Sequence, residues 1–578
     1  MHRPLHPTRF PIPVALVLLG ACALEGGEEL PDFCQEVLAD VDAYLGSFDE
    51  PEGDEYGGTA VVGGIGEIPD GMNAFRTADH GASQHQIFVN QMTLVRYDED
   101  YEPEPYLASS WDLSEDGREL TFHLRDDVHW HDGEPVTAED VAFTFLRAND
   151  PETGFPNAAF WTHYSPGEDG VEVLDSHTVR FHMEPHAEPL DSWRVMAIMP
   201  EHLLGDVPPA ELRGHPFGTE CPVGAGPFRF VDHRDGESWT FARNPAFPDE
   251  LGGPPRLDRY VYRVVPEPST LLTEVLTERV DIYLQPTPEH AERLEEEEGA
   301  RLLSFPFRDY VFVAWNSRRP QLSDARVRRA LTLATGRERI VEAVLGGRGS
   351  VANAGVPPSH WAHDETLVHD LPYHPDEARR LLAEAGWEDR SGDGIRESDD
   401  GESLEISILY NTGNQQRREI AEIMQAQLAE VGVSVRPQGL EWATLVSRVT
   451  DPAGRDFDGV TLAWVTEFKV DDTDLFHSDR SDGAYAWSGL QDERMDQLLD
   501  SLQVIQGREE ALPLWREYQE RLVELQPFTY FYFRDRTAGV RERLEGVHMD
   551  ARGEWVSVAD WWIPEGARRG TAVAARDP

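Results

Sequence analysis

Residues 128–141 read VHWHDGEPVTAEDV, and this stretch leads from a short strand into the start of a helix. Thr137 is a residue type that caps helix N-termini. Glu139 and Asp140 follow it and place negative charge in the first turn, where the helix dipole favours carboxylates. The stretch therefore predicts a strand, a turn and a capped helix in that order.

A β-hairpin is predicted immediately before this stretch. Ser114-Glu115-Asp116-Gly117 lies between two apolar segments and is a typical turn sequence. Leu120, Phe122 and Leu124 then alternate with polar residues, which is the pattern of a strand with one buried face. The hairpin and the capped helix together indicate mixed α/β structure.

Strands and amphipathic helices also alternate outside this region. The β-branched segments 58–62 and 404–410 read as strands. Residues 417–431 carry apolar side chains at helical spacing, and residues 375–387 form a second helix with acids in its first turn and Gly386 as its stop signal. Alternation of this kind predicts α/β layers.

Several sequence blocks occur in an order that is more specific than periodicity. Besides 128–141 they are PYLASSW with the following hairpin (105–125), PVGAGPF (222–228), RNP (243–245), DARVRRAL (324–331), and Trp387 with the acidic loop after it. This ordered set resembles the family 5 extracellular solute-binding proteins, the peptide/nickel-type binding proteins of ABC importers. The resemblance covers about 58–565. Within it, His129 and His131 belong to the fold signature and are interpreted as structural residues, not as a nickel site.

The resemblance implies a periplasmic-binding-protein type II fold of cluster C, in which two lobes surround a hinge and a further domain is inserted. Mapped by motif, the parts are lobe I (58–90, 222–306 and 535–565), the inserted domain II (91–221) and lobe III (307–534). The blocks form this scaffold and do not by themselves make the binding site.

Length and charge agree with a large protein that does not bind nucleic acid. A chain of 578 residues exceeds the usual size of one hydrophobic core. It has 51 basic and 107 acidic residues, a net charge of −56, and such a chain repels phosphate. The acidity fits either a saline habitat or a preference for basic ligands, and the sequence leaves both open.

The N-terminus reads as an export signal. Residues 1–22 combine a weakly basic start, a short apolar run and the tetrapeptide Leu19-Gly20-Ala21-Cys22, which looks like a lipoprotein box with Cys22 lipidated. An ordinary secretory peptide cut near Ala21 or Ala23 is the alternative. Residues 23–57 read as an acidic tether. We therefore expect an extracytoplasmic protein, lipid-anchored to the bacterial cell membrane or facing the periplasm.

Two cysteines remain if Cys22 carries lipid. Cys34 and Cys221 are an even pair in an oxidising compartment, so a disulfide is one interpretation. Two separate thiols are the other, because the sequence does not show whether the Cα atoms lie within the roughly 4.4–6.8 Å that a bridge requires.

The resemblance also assigns candidate ligand-binding residues. In peptide-binding members an acid three residues after a tryptophan pairs with the α-ammonium group of the peptide, and here Trp464 and Glu467 occupy that motif. Asp471 or Asp472 is a second candidate for this acid. The remaining candidates are Ser478 and Tyr485 as hydrogen-bonding groups, Trp487 as an apolar wall, and Asn316 as a partner for a peptide backbone. An ordinary acidic surface is the alternative for the three acids.

A calcium-like loop follows Trp387. Its oxygen-bearing residues stand at loop positions one, three, five, nine and twelve, with glycine at position six. These residues are Asp389, Ser391, Asp393, Glu397 and Asp400. A solvated acidic turn is the alternative, since aspartate replaces the usual glutamate at position twelve. No other cofactor is expected.

The predicted function is that of a receptor and not of an enzyme. The resemblance implies a monomer that captures peptides between its lobes and delivers them to the permease subunits of an ABC importer. An oligosaccharide, a metal chelate or another small solute is the alternative ligand. A secreted hydrolase is the alternative class, although no Gly-x-Ser-x-Gly, His-Glu-x-x-His or phosphate-loop motif is present.

Overall fold

The structure is a computed structural model that describes residues 30–76, 79–466 and 470–569. Its strands are β1 Thr59–Gly64, β2 Val95–Tyr97, β3 Pro103–Pro105, β4 Ala108–Leu113, β5 Glu119–Leu124, β6 Val171–Asp175, β7 Thr178–His182, β8 Phe228–Arg234, β9 Ser238–Arg243, β10 Arg259–Val264, β11 Ile282–Leu284, β12 Ala300–Trp315, β13 Gly349–Val351, β14 Glu405–Asn411, β15 Ser434–Leu440, β16 Gly459–Val465 and β17 Phe528–Arg541. The predicted strands at 58–62 and 404–410 correspond to β1 and β14 and are confirmed.

Helices pack around these strands. They are α1 Asp32–Leu45, α2 His80–His85, α3 Ala138–Asn149, α4 Asp191–Val195, α5 Glu201–Leu204, α6 Pro209–Leu212, α7 Pro268–Leu276, α8 Pro288–Glu295, α9 Ala325–Leu333, α10 Arg337–Leu345, α11 Pro375–Glu384, α12 Gln415–Ala429, α13 Trp442–Thr450, α14 Thr473–Phe476, α15 Glu493–Val504 and α16 Arg508–Leu525. The predicted helices at 375–387 and 417–431 correspond to α11 and α12. Within the described ranges, none of these helices combines the length and the apolar character needed to cross a bilayer.

One large sheet runs through two halves of the molecule. Its strand order is β15-β14-β16-β12-β17-β11-β1-β10-β9-β8, with β13 paired to β17. We call the β1 and β8–β11 half lobe I and the β14–β16 half lobe III. The long antiparallel strands β12 and β17 pair from Ala300↔Arg541 to Ala314↔Phe528 and connect the two lobes. Among the described residues, only this two-strand connection carries the sheet from one lobe to the other.

Strand β12 shows why lobe III has a core on each side of its sheet. Successive side chains of a strand point to opposite faces. Val311 and Val313 pack with α9–α12 on one face, whereas Tyr310 and Phe312 pack with α13, α15 and α16 on the other. A strand covered by helices on both faces is apolar throughout, which is why this segment lacks the alternation of a half-buried strand.

Strands β2–β7 lie outside the large sheet and form a separate unit, which we call the inserted domain. It contains the antiparallel sheet β4-β5-β7-β6 and the hairpin β2–β3. The predicted turn joins β4 to β5, with Gly117 in the left-handed region at φ 69°. Helix α3 begins with a reciprocal capping box between Thr137 and Asp140. Both local predictions are confirmed, whereas the domain boundaries proposed from the sequence stay predictions.

The glycine-rich block 222–228 packs against the backbone of residue 90. A Cβ on Gly224 would lie 1.7 Å from the Asn90 carbonyl oxygen, so only glycine fits there. Next to it, the His131 ring lies 3.0 Å from the Gly226 carbonyl oxygen. Burial lowers the pKa of His131 to about 4. This histidine therefore serves packing, as its place in the fold signature indicated.

The tether predicted for 23–57 is wrong for its central part. Residues Asp32–Leu45 form α1, and its Cys34, Val37, Val41 and Leu45 side chains are buried in the core of the inserted domain. Their spacing puts them on one helix face, a signal that the acidic composition obscured. The predicted signal segment 1–22, including Cys22, lies outside the described residues.

Cys34 and Cys221 form a disulfide in the structure, with their Cα atoms 5.3 Å apart. Both residues are fully buried, and 187 positions separate them in the chain. The bond thus attaches α1 to the end of the inserted domain.

Removing this disulfide is expected to lower the stability of the inserted domain by about 2–4 kcal/mol, because a long loop of the unfolded chain is no longer closed. The measurement is thermal unfolding of a Cys34→Ala/Cys221→Ala double variant. Reductant should lower the melting temperature of the wild type to that of the variant. Equal melting temperatures for variant and oxidised wild type would contradict the prediction.

Candidate functional site

Three predicted aromatic residues come together at the end of β16. The ring centroid of Trp464 lies 5.3 Å from that of Tyr485 and 5.7 Å from that of Trp487, both in edge-to-face geometry. Tyr485 is 44% exposed, whereas Trp487 is only 5% exposed. Tyr485 therefore presents an aromatic surface, and Trp487 supports it from the core instead of forming the wall itself.

The acid assigned to ligand binding, Glu467, lies outside the described residues. The residue before it, Thr466, is held firmly: its N–H donates to the Arg308 carbonyl oxygen at 2.8 Å, and Arg308 Nη1 donates to the Thr466 carbonyl oxygen at 2.7 Å. Arg308 Nε also donates to the Ala551 carbonyl oxygen at 3.0 Å. Arg308 thus fixes the end of β16 to the C-terminal part of the chain.

The sequence motifs around Trp464 do not point to Arg308, which lies on the connecting strand β12. The signal was present, since Arg308 and Asp309 interrupt an apolar strand. Both side chains are almost fully buried. Buried charges need partners, and Asp309 forms an ion pair with Arg534 of β17.

Asp471 and Asp472 differ sharply in environment. Asp471 is exposed, and its Oδ1 accepts a hydrogen bond from Thr473 N–H at 3.0 Å. Asp472 is 2% exposed and accepts a hydrogen bond from Tyr518 Oη. Burial raises the pKa of Asp472 to about 7. A counter-ion for an ammonium group must be ionised and accessible, so the assignment of Asp472 to the ligand is corrected.

The raised pKa of Asp472 gives a testable pH dependence. Because the folded state holds the proton more tightly than the unfolded state, stability is highest below about pH 4 for this group and falls as the pH rises towards 7. Asp472→Asn removes this ionisation and retains an acceptor for Tyr518. The stability of the variant relative to wild type should therefore rise by about 3 kcal/mol from pH 5 to pH 8, as measured by urea unfolding. A difference that does not change with pH would contradict this assignment.

Two other predicted ligand contacts are used within lobe III. Asn316 is 1% exposed, its Nδ2 donates to the Arg455 and Phe457 carbonyl oxygens, and its Oδ1 accepts from Arg318. The amide therefore shapes the end of β12, and its assignment to a peptide backbone is corrected. Ser478 lies beside α15, where its backbone N–H donates to Asp496 Oδ1 at 2.8 Å.

A buried charge cluster joins lobe I to the connecting strands. Glu554 is 3% exposed and accepts from His80 Nε2 at 3.0 Å and from Arg536 of β17. Burial alone would raise the pKa of Glu554, but the hydrogen bond from His80 and the positive charge of Arg536 lower it far below its usual range. The carboxylate is therefore ionised, and it links the segment that follows β17 back to that strand.

The inserted domain and lobe III contact each other directly. Arg508 of α16 pairs with Glu102 and donates through Nη2 to the Tyr101 carbonyl oxygen at 2.8 Å. Ala187 N–H donates to the Gln503 carbonyl oxygen at 2.9 Å. A cavity of about 200 Å³ lies between these parts, and Val470, Trp361 and Trp515 are among its lining residues. Val470, the first described residue after Glu467, lines this cavity.

The structure brings together part of the predicted calcium loop. Carboxylate oxygens of Asp389, Asp393 and Glu397 all lie within 4.8 Å of one another. A hydrogen bond from Ser391 lowers the pKa of Glu397. Asp400 is not a member of this carboxylate group, so its assignment as the calcium ligand at loop position twelve is corrected. Oxygen ligands of this kind suit Ca²⁺, and calcium binding stays a prediction of the sequence.

Calcium binding by the loop is tested by titration calorimetry with CaCl₂. The predicted site gives one equivalent of binding that is lost in Asp389→Asn. The matched control is Asp399→Asn, which changes a neighbouring acid that pairs with Arg390. Equal calcium binding by both variants would show that the loop is a solvated turn.

Comparison with known proteins identifies the family and the relatives of this chain. Residues 102–486 match the family described as "Bacterial extracellular solute-binding proteins, family 5 Middle". The chain is 28% identical over 516 residues to oligopeptide-binding protein AppA of Bacillus subtilis, which covers 88% of this chain and 92% of that protein.

Solved structures share the fold. AppA of Bacillus subtilis in complex with a nonapeptide superposes with a TM-score of 0.71 at 27% identity, over 88% of this chain and 99% of AppA. NikZ of Campylobacter jejuni in complex with Ni(L-His) gives a TM-score of 0.70 at 24% identity, over 87% and 99% of the two chains, and supports the fold alone. The periplasmic-binding-protein type II fold is confirmed, and the relatives are binding proteins and not enzymes. This chain belongs to the family 5 bacterial extracellular solute-binding proteins.

Proposed function

We propose that this protein is the receptor of an ABC importer, which captures peptides between lobes I and III and delivers them to permease subunits in the membrane. The proposal includes anchoring through a lipid on Cys22, an extracytoplasmic location and a monomeric state.

The observation that carries the binding role is the connection between the lobes. In the part of the chain that the structure describes, only β12 and β17 carry the large sheet from lobe I to lobe III. A small change in these two strands can therefore open or close the space between the lobes. Arg508 of lobe III also pairs with Glu102 of the inserted domain, so the inserted domain contacts lobe III directly. A clamp built in this way encloses a ligand and releases it when the lobes separate.

Peptide as the ligand is supported by two features together. A relative that this chain matches along 92% of its length is an oligopeptide-binding protein. Trp464, whose ring lies edge-to-face with the exposed ring of Tyr485, stands three positions before the candidate acid Glu467 in the sequence. An ammonium group buried without a counter-ion would be strongly destabilised, so an acid at this place suits the amino end of a peptide.

Native mass spectrometry of the purified soluble protein tests the proposal. We expect bound masses that fragment as short peptides and disappear after unfolding and refolding. A ladder of sugar masses or a single metal chelate would retain the receptor role and replace the ligand. Turnover of an added peptide would instead support the hydrolase class.

A further inference from the structure

A second cluster of ligating side chains lies in lobe I, away from Trp464 and from the acidic loop. Glu67 follows β1, and His233 and Asp235 belong to the end of β8 and its turn into β9. Their ligating atoms all lie within 4.8 Å of one another. We propose that Glu67, His233 and Asp235 bind a divalent first-row transition metal ion such as Zn²⁺.

The strand register explains why three distant residues meet. Strand β1 runs parallel to β10, with Gly64 opposite Val264. Strand β9 runs antiparallel to β10, so its start at Ser238 lies opposite Arg263. The loop after β1 and the β8–β9 turn therefore reach the same edge of the sheet.

An unpartnered nitrogen of the His233 ring indicates that a metal ion can bind here. Its Nε2 is buried from solvent, and among the described residues it has no hydrogen-bond partner. The same atom faces Glu67 Oε1 at 4.0 Å, beyond hydrogen-bond distance. Ligand atoms that share one zinc ion, each bound at about 2.0–2.2 Å, are roughly 3–4 Å apart. A metal ion between the two side chains would thus satisfy the unpartnered nitrogen.

Neighbouring groups already orient the ligands. Glu67 Oε1 accepts from Trp239 Nε1 at 2.7 Å, and Oε2 accepts from Gly236 N–H at 2.8 Å. The Trp239 ring also stacks on His233 at a centroid distance of 3.8 Å. Such supporting contacts fix the carboxylate and the imidazole before the metal arrives.

The donor set selects the class of ion. One imidazole and two carboxylates suit zinc, cobalt or nickel better than calcium, which prefers oxygen ligands alone. Two carboxylates neutralise the charge of a divalent ion. Three protein ligands leave at least one coordination position for water or for another donor atom.

Cobalt and zinc titrations of the full soluble protein test the site. Excess Ca²⁺ is present throughout, so that the acidic surface and the 389–400 loop are occupied. We expect one equivalent of Co²⁺ to give visible absorption bands that one equivalent of Zn²⁺ removes. Calorimetry should show zinc affinity reduced at least 10-fold by His233→Gln and weakened by Asp235→Asn, an exposed position where folding is not at risk.

The matched control is His123→Gln, since His123 is a partly exposed histidine 3.0 Å from Asp112 in the inserted domain. This variant should bind zinc like the wild type. Zinc binding unchanged in both His233→Gln and Asp235→Asn, or no stoichiometric zinc binding by the wild type, would overturn the proposal. Circular dichroism and melting temperature show whether each variant is folded.

Discussion

Glu467→Gln is expected to weaken peptide binding at least about 30-fold, equivalent to about 2 kcal/mol. Glutamine keeps the size of the side chain and removes the charge that would pair with the peptide ammonium group. Asp472 is excluded from this role by its burial and its pKa of about 7. The measurement is calorimetry with a peptide identified by mass spectrometry.

An N-acetylated form of the same peptide completes the experiment. Acetylation removes the ammonium group, so wild-type protein should bind the acetylated peptide as weakly as the variant binds the free one. The two losses should not add, because both break the same pair. Asp471→Asn, four positions further along the chain, is the matched control. A larger loss for Asp471→Asn than for Glu467→Gln would transfer the anchoring role to Asp471.

Arg543→Leu is expected to destabilise lobe I by about 3–5 kcal/mol, since it leaves a buried carboxylate without its main partner. Asp281 is fully buried, and Arg543 donates to both of its oxygens, at 2.7 Å and 2.6 Å. Asp281 Oδ2 also accepts from Val61 N–H at 2.9 Å. The pair therefore ties β1, β11 and the segment after β17 together.

Urea unfolding measures this effect, and a second substitution separates charge from packing. Adding Asp281→Asn to Arg543→Leu removes the unpaired charge and should recover part of the loss. Arg380→Leu on α11 is the control, because Arg380 is half exposed and pairs with Glu377 and Glu384 on the surface. Such surface pairs contribute up to about 1 kcal/mol. Similar losses for Arg543→Leu and Arg380→Leu would contradict the prediction.

Short sequence motifs predicted the structure correctly where that structure depends on neighbouring residues alone. Thr137 and Asp140 predict the start of α3, and the Ser114–Gly117 turn predicts the β4–β5 hairpin. Capping and turn formation depend on residues three or four positions apart, so no distant partner is needed. The ordered blocks identified the family for the same reason, since each is a short and local pattern.

The acidic composition of residues 23–57 led to a wrong prediction, because a few apolar residues determine how this segment folds. The acids of 23–57 suggested a tether, yet four buried residues on one face of α1 attach it to the inserted domain. Hydrophobic spacing within 32–45 would have predicted this helix. An average over a segment hides such a face.

The family, the α/β class, many of the helices and strands, and the aromatic residues around Trp464 follow from the amino-acid sequence alone. Which polar residues are available to a ligand depends on the three-dimensional arrangement of the chain. Asp472 and Asn316 are buried with internal partners, Arg308 holds the end of β16, and His233 meets Glu67 across 166 positions of the chain. Burial and pairing depend on strands that are distant in sequence, and no local pattern specifies them.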